Sequence, residues 1–205
     1  VVEHGVLLAE VLGLEVARVE PGEAGPRLSI GVGRFDRDAR ETLHAGLPTP
    51  PEPADELARV VGEVRRRRRP GASSHPANQL SPERWLRAVA MAHPEVVGAR
   101  HLAPSSPPSP RPDLLARSLA PAVGTDGDGA PVAMIFSTGI DPELVPQATD
   151  CRLSAAAHGP DHGSPVRLVL VVPEGDDHPV NRQLAARLIE PAEVRTVPRS
   201  WRELG

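Results

Sequence analysis

Val132-Ala133-Met134-Ile135-Phe136 and Val166-Arg167-Leu168-Val169-Leu170-Val171-Val172 are the two stretches that decide the fold. The first has no polar residue and the second has only Arg167. A strand apolar on both faces is covered on both faces, as in a parallel sheet. Each run ends in a turn-rich loop: Ser137-Thr138-Gly139-Ile140-Asp141 and Pro173-Glu174-Gly175-Asp176-Asp177-His178. Asp141-Pro142 opens a short helical segment that Pro146 makes irregular. Pro179–Ile189 reads as a better helix, with Val180, Leu184 and Leu188 on one face. Glu193–Val197 is a third strand. The order strand, helix, strand, helix, strand predicts a parallel βαβαβ unit with right-handed crossovers, a Rossmann-like half.

Upstream the pattern changes. Leu14–Glu20 and Arg27–Gly33 flank the turn material Pro21-Gly22-Glu23-Ala24-Gly25-Pro26. Leu28, Ile30 and Val32 alternate onto one face, so the pair predicts a half-buried antiparallel hairpin. Val2–Leu12 reads as a short apolar helix stopped by Gly13. Further helices are expected at Asp36–His44, at Asp55–Arg65 with Leu57, Val60, Val61 and Val64 inward, and at Pro82–Ala92 with Ser81 as N-cap. Val96–Leu102 reads as a strand. The fold class is therefore α/β: a mixed sheet flanked by helices, with an N-terminal antiparallel hairpin and a C-terminal parallel βαβαβ unit. Residues 104–112 are proline-rich and extended, either a linker or a crossover loop. They set off a hairpin-plus-helices half, 1–103, from a βαβαβ half, 113–205, possible parts of one continuous domain. The chain begins at Val1, so residues upstream of it are expected.

Composition narrows the chemistry. All 23 residues counted as Lys+Arg are arginine. Without lysine, the ordinary phosphate-binding loop, Schiff-base chemistry and the kinase signature are excluded. The bias towards Ala, Arg, Gly and Pro is that of a GC-rich genome. With 2 Phe, 2 Trp and no Tyr, the core must be mainly aliphatic. The net charge of -4 argues against a protein that coats DNA. The single cysteine, Cys151, cannot form an intrachain disulfide, and a cytoplasmic location is the simplest expectation. No apolar run is long enough to cross a bilayer, so no membrane partner is expected.

In open parallel sheets, ligands bind beyond the carboxyl ends of the strands. Ser137, Thr138, Gly139 and Glu174 are the candidate contacts there for a small polar or anionic ligand. Asp141, Asp176, Asp177 and His178 are the candidate acid–base groups. Asp141-Pro142 and His178-Pro179 are also ordinary helix-capping arrangements. No cofactor is indicated, and neither enzymatic activity nor oligomeric state can be read.

Arg65-Arg66-Arg67-Arg68-Arg69 is the alternative, a grip for nucleic-acid phosphates that Arg84 and Arg87 could extend. The competing reading is a solvated helix end offsetting the negative pole of the dipole. Glu10, Glu15 and Asp36 around the first hairpin could hold magnesium in a nuclease-like site, although Arg18 is a poor substitute for the usual lysine. A third alternative is a non-catalytic interaction domain of a larger protein.

Three further motifs fail on spacing or context. His158 and His162 have metal-ligand spacing only on a helix, which Gly159-Pro160 opposes, even with Cys151 nearby. Thr125-Asp126-Gly127-Asp128-Gly129 departs from a calcium loop after Asp128. Gly31-Val32-Gly33 lacks the third glycine of a dinucleotide fingerprint. No metal site is expected.

Overall fold

A computed structural model describes residues 1–22, 25–111, 113–116, 118–158 and 165–205. The fold class is α/β, built among the described residues on two sheets flanked by five helices. The first sheet is antiparallel, in the order β1 (Val2–Glu3), β2 (Val6–Val11), β3 (Leu14–Gly22), β4 (Gly25–Ile30). The second is mixed, in the order β5 (Ala99–Pro104), β6 (Ala120–Asp126), β7 (Pro131–Phe136), β8 (Arg167–Pro173), β9 (Glu193–Val197). β7, β8 and β9 are parallel, while β6 is antiparallel to both β5 and β7.

The apolar runs lie where their composition put them, at the centre of the mixed sheet. Met134, Phe136, Val169 and Val171 pack on one face against Trp85, Leu86 and Val89 of α3 (Pro82–Ala92). Ala133, Ile135, Leu168 and Leu170 pack on the other face. There they meet Leu144, Val145 and Ala148 of α4 (Leu144–His158) and Ala185 of α5 (Pro179–Ala186). The helix after Asp141 is thus 15 residues long, regular beyond Pro146. The antiparallel sheet forms a separate core with α2 (Pro53–Arg67), where Val60 and Val64 meet Leu14, Val16 and Ile30. α1 (Gly33–Ala45) packs its polar side inward, placing the buried Arg37 on Glu15 at 2.6 Å.

Three local readings are corrected. Val2–Leu12 is not a helix but β1 and β2. His4-Gly5 and Leu12-Gly13 have positive φ at both residues (49 and 80, 46 and 81). Glu3 pairs with Val6, and Val11 with Leu14, across them. Two-residue hairpins whose twist matches that of strands need this conformation. Gly13 therefore turns a hairpin and does not stop a helix. β6 was not foreseen, because Pro121 and Gly124 interrupt it. Gly124 is required there, since a Cβ would sit 1.9 Å from the His101 carbonyl oxygen. Ser81 does not cap α3 through its side chain. It is buried at φ 46, and its hydroxyl accepts a 2.6 Å bond from Arg111.

The two sheets meet through buried charge. Arg84 donates to Glu3 at 2.7 Å and to Glu10 at 3.2 Å. Arg87, fully buried, donates to both Glu10 oxygens at 2.8 and 2.7 Å and to the Pro121 carbonyl at 3.2 Å. Among the described residues no helix is long and apolar enough to cross a membrane.

Candidate functional site

The strand-end loops converge. The Gly139 amide donates a 2.7 Å bond to Asp176, joining the loop after β7 to the loop after β8. Gly139 can make that turn because its φ is +75, which a glycine adopts without strain. The polar groups here are largely occupied by the loops themselves. Asp141 accepts from the Glu143 amide at 2.9 Å. Asp177 binds Arg182 through both oxygens, at 2.8 and 3.0 Å. His178 Nδ1 accepts from the Val180 amide at 3.3 Å and caps α5. Ser137 is buried, Thr138 is half-buried, and Glu174 is exposed.

The arginine run does not form one surface. α2 turns by about 100° per residue and ends at Arg67, so Arg65, Arg66 and Arg67 fan out around it, and Arg68 and Arg69 follow beyond its end. Arg66 and Arg67 both bind Glu63. Arg68 turns inward and is fully buried. Its guanidinium donates to the carbonyls of Leu12, Ala77 and Leu80. It also lies 4.7 Å from the Trp85 ring centroid. Burial, aided by the nearby charge of Arg202, lowers its pKa to about 10. Arg65 and Arg69 are exposed, and neither has a carboxylate partner among the described residues. Arg84 and Arg87, read as possible extensions of the patch, are buried structural cations.

The magnesium reading of the hairpin acids also gives way to arginine. Glu10 is held by Arg84 and Arg87, Glu15 by Arg18 and Arg37, and Asp36 by Arg40 and the Val32 amide. Among the described residues no group of three or more His, Cys, Asp or Glu could hold a metal ion. His162 and the His158 side chain lie outside the described residues. Cys151 is buried on the inward face of α4, and burial is the main cause that pushes its thiol up to about 12. The native protein should resist iodoacetamide at pH 8 and react at one site once unfolded, because the thiolate is the nucleophile. Rapid native alkylation, read by mass spectrometry, would refute that burial.

Sequence reasoning missed the residues that bring both regions together. After β9 the chain places Trp201 edge-on to Trp85, with ring centroids 5.4 Å apart at 78°. The Arg202 guanidinium sits 4.4 Å from the Trp201 ring centroid and 5.4 Å from that of Trp85. Burial lowers the pKa of Arg202, and the nearby Asp176 charge partly restores it. Glu203 accepts a 2.8 Å bond from the Gly71 amide, tying the chain end to the segment after α2. A pocket of about 340 Å³ results, lined by Arg67, Arg69, Ser74, His75, Asn78, Gln79, Trp85, Arg202 and Glu203. His75 Nδ1 accepts from the Ala77 amide at 3.1 Å. The buried Asn78 Oδ1 and Trp85 Nε1 have no hydrogen-bond partner among the described residues. The one sequence signal for this pocket was that two tryptophans in an otherwise aromatic-poor chain each neighbour an arginine, Arg84 and Arg202.

Comparison with protein-family models, with curated proteins and with solved structures gives no match.

Proposed function

We propose that the protein binds a small anionic ligand, a phosphate or a carboxylate, at the carboxyl end of its parallel strands. Its head would lie in the pocket lined by Arg67, Arg69, His75, Asn78 and Arg202. The observation that carries this reading is the meeting of Arg69 and Arg202, far apart in sequence, in one pocket. Neither donates a hydrogen bond to a carboxylate among the described residues, although the chain carries a net charge of -4. Glu203 lines the same pocket but accepts from the Gly71 amide, and the Asp176 charge only partly offsets the burial of Arg202. Bringing like charges together around a partly dehydrated space is unfavourable, and a bound anion would add the counter-charge. Arginine suits this role, because its fork of N–H donors matches the oxygens of phosphate and carboxylate.

The strand-end loops form the neighbouring wall in this reading, since Asp176 acts on Arg202 and bonds to Gly139. Ser137, Thr138, Gly139 and Glu174 are its secondary contacts. The reading is one of binding: Asp141, Asp176 and Asp177 already hold a backbone amide or an arginine. A cytoplasmic location is part of the same proposal, supported by the single buried cysteine.

Trp85 and Trp201, the 2 tryptophans of the chain, both stand beside the pocket. Titration with inorganic phosphate, followed by their fluorescence and by calorimetry, should give a saturable change. Arg69→Ser combined with Arg202→Ser should abolish it. A response no different from that to chloride would overturn the proposal. Oligonucleotides belong in the same titration. Binding that is lost in Arg65→Ser with Arg69→Ser, but kept in Arg202→Ser, would move the reading to nucleic acid.

A further inference from the structure

We infer that the anion is carried on an apolar body, which lies in a second depression adjoining the polar pocket. This rests on the anion-binding reading above and names the class of ligand. The second depression, about 510 Å³, is lined by Glu10, Val11, Leu12, Arg65, Arg68, Arg69, Pro70 and Gly205. It shares Arg69 with the polar pocket, so the two adjoin at that residue. The two have different chemistry. The polar side offers His75, Asn78 and Arg202, whereas the neighbouring side offers the aliphatic surfaces of Val11, Leu12 and Pro70.

The apolar wall is held in place. Leu12 occupies the left-handed region at φ 46 in the tip of the β2–β3 hairpin. Its carbonyl accepts a 2.6 Å bond from Arg68. Glu10 presents no free charge to repel an anion, because Arg87 and Arg84 hold its carboxylate. Arg68 Nε, buried in the same wall, has no hydrogen-bond partner among the described residues. Arg65 and Arg69 bring flat, weakly hydrated guanidinium faces, on which a planar or aliphatic group can rest. A head bound by Arg69 and Arg202 therefore has an apolar surface on the far side of Arg69. Both volumes lie within the usual range of small-molecule sites, roughly 300–1,000 Å³.

The test is calorimetric titration of the full chain with inorganic phosphate, glycerol phosphate, hexyl phosphate and adenosine monophosphate. Hexyl phosphate or the nucleotide should bind at least about tenfold tighter than glycerol phosphate, as burial of a few methylenes provides. The larger gain of the two identifies an alkyl or a nucleotide source. Val11→Asn should remove the advantage and leave the affinity for inorganic phosphate unchanged. Pro70→Ser, at an exposed position, serves the same purpose if Val11→Asn fails to fold. Arg202→Ser should weaken all four. Equal affinities with phosphate binding intact would overturn this inference and leave the anion reading standing. An advantage that survives both Val11→Asn and Pro70→Ser would also overturn it. Absence of binding by every probe would end both readings.

Discussion

Replacing Arg87 with alanine should destabilise the protein by about 3–5 kcal/mol, the usual cost of breaking a buried ion pair from one side. Arg87 is fully buried between α3, the antiparallel sheet and β6. Its removal leaves Glu10, whose side chain is 10% exposed, with Arg84 alone at 3.2 Å. It also strips a donor from the Pro121 carbonyl and opens a void where the aliphatic stem lay. The pair itself need not be worth that much, because dehydration of both ions offsets most of their attraction. The cost comes from leaving one charge buried without its counterpart. Arg87→Met, which keeps the stem, should recover the packing but not the charge. Urea unfolding at pH 7 reads both variants. A loss below about 1 kcal/mol in Arg87→Ala would show that water or Arg84 compensates Glu10.

Gly13→Ala should be comparably damaging, for two reasons that can be separated. Gly13 has φ +81, and a Cβ there would fall 2.2 Å from the Trp85 amide nitrogen and 2.4 Å from the Arg84 carbonyl carbon. Those atoms belong to the backbone of α3 and cannot rotate away. The left-handed conformation costs an alanine about 1–2 kcal/mol. Forcing the hairpin away from α3 adds about 1–3 kcal/mol of overpacking. Gly5 is the internal control: its φ is +80, but nothing lies within 4 Å of its Cβ position. Gly5→Ala should therefore show the conformational cost alone. Thermal unfolding of the two variants should differ by several degrees, since 1 kcal/mol shifts Tm by roughly 2–4 °C in a chain of this size. Equal Tm values would refute the close approach of the β2–β3 turn to α3.

The central strands could be read because burial on both faces leaves a mark that survives without a partner. A polar residue anywhere in Val132–Phe136 would face a helix on one side or the other. Of the N-terminal strands, β3 and β4 showed themselves by alternation, but β1 and β2 left no mark. Val2–Leu12 is apolar enough for a helix, and only its pairing with β3 gives those residues the strand period. β6 was hidden for the opposite reason, because Pro121 and Gly124 look like breaks. One gives a carbonyl that Arg87 needs, and the other admits the β5 backbone.

The candidate site divides in the same way. The strand ends follow from the order of the elements, and the Gly139–Asp176 contact lies where that order put it. The choice among arginines does not follow. Arg65 to Arg69 are chemically identical, yet Arg68 is buried on three carbonyls, Arg66 and Arg67 share Glu63, and Arg65 and Arg69 have no carboxylate partner among the described residues. Arg202, in no basic run at all, meets Arg69 across a pocket.

The α/β class, the parallel order of the last three strands and the restriction of the basic side chains to arginine and histidine can all be read along the chain without a structure. Those properties rest on local composition and periodicity, which each segment carries along its own length. Tertiary structure decided which cations are spent on structure and which face a pocket. The surroundings of a charge are set by whatever lies across space from it, and Arg69 and Arg202 border one pocket although they are 133 positions apart in the chain.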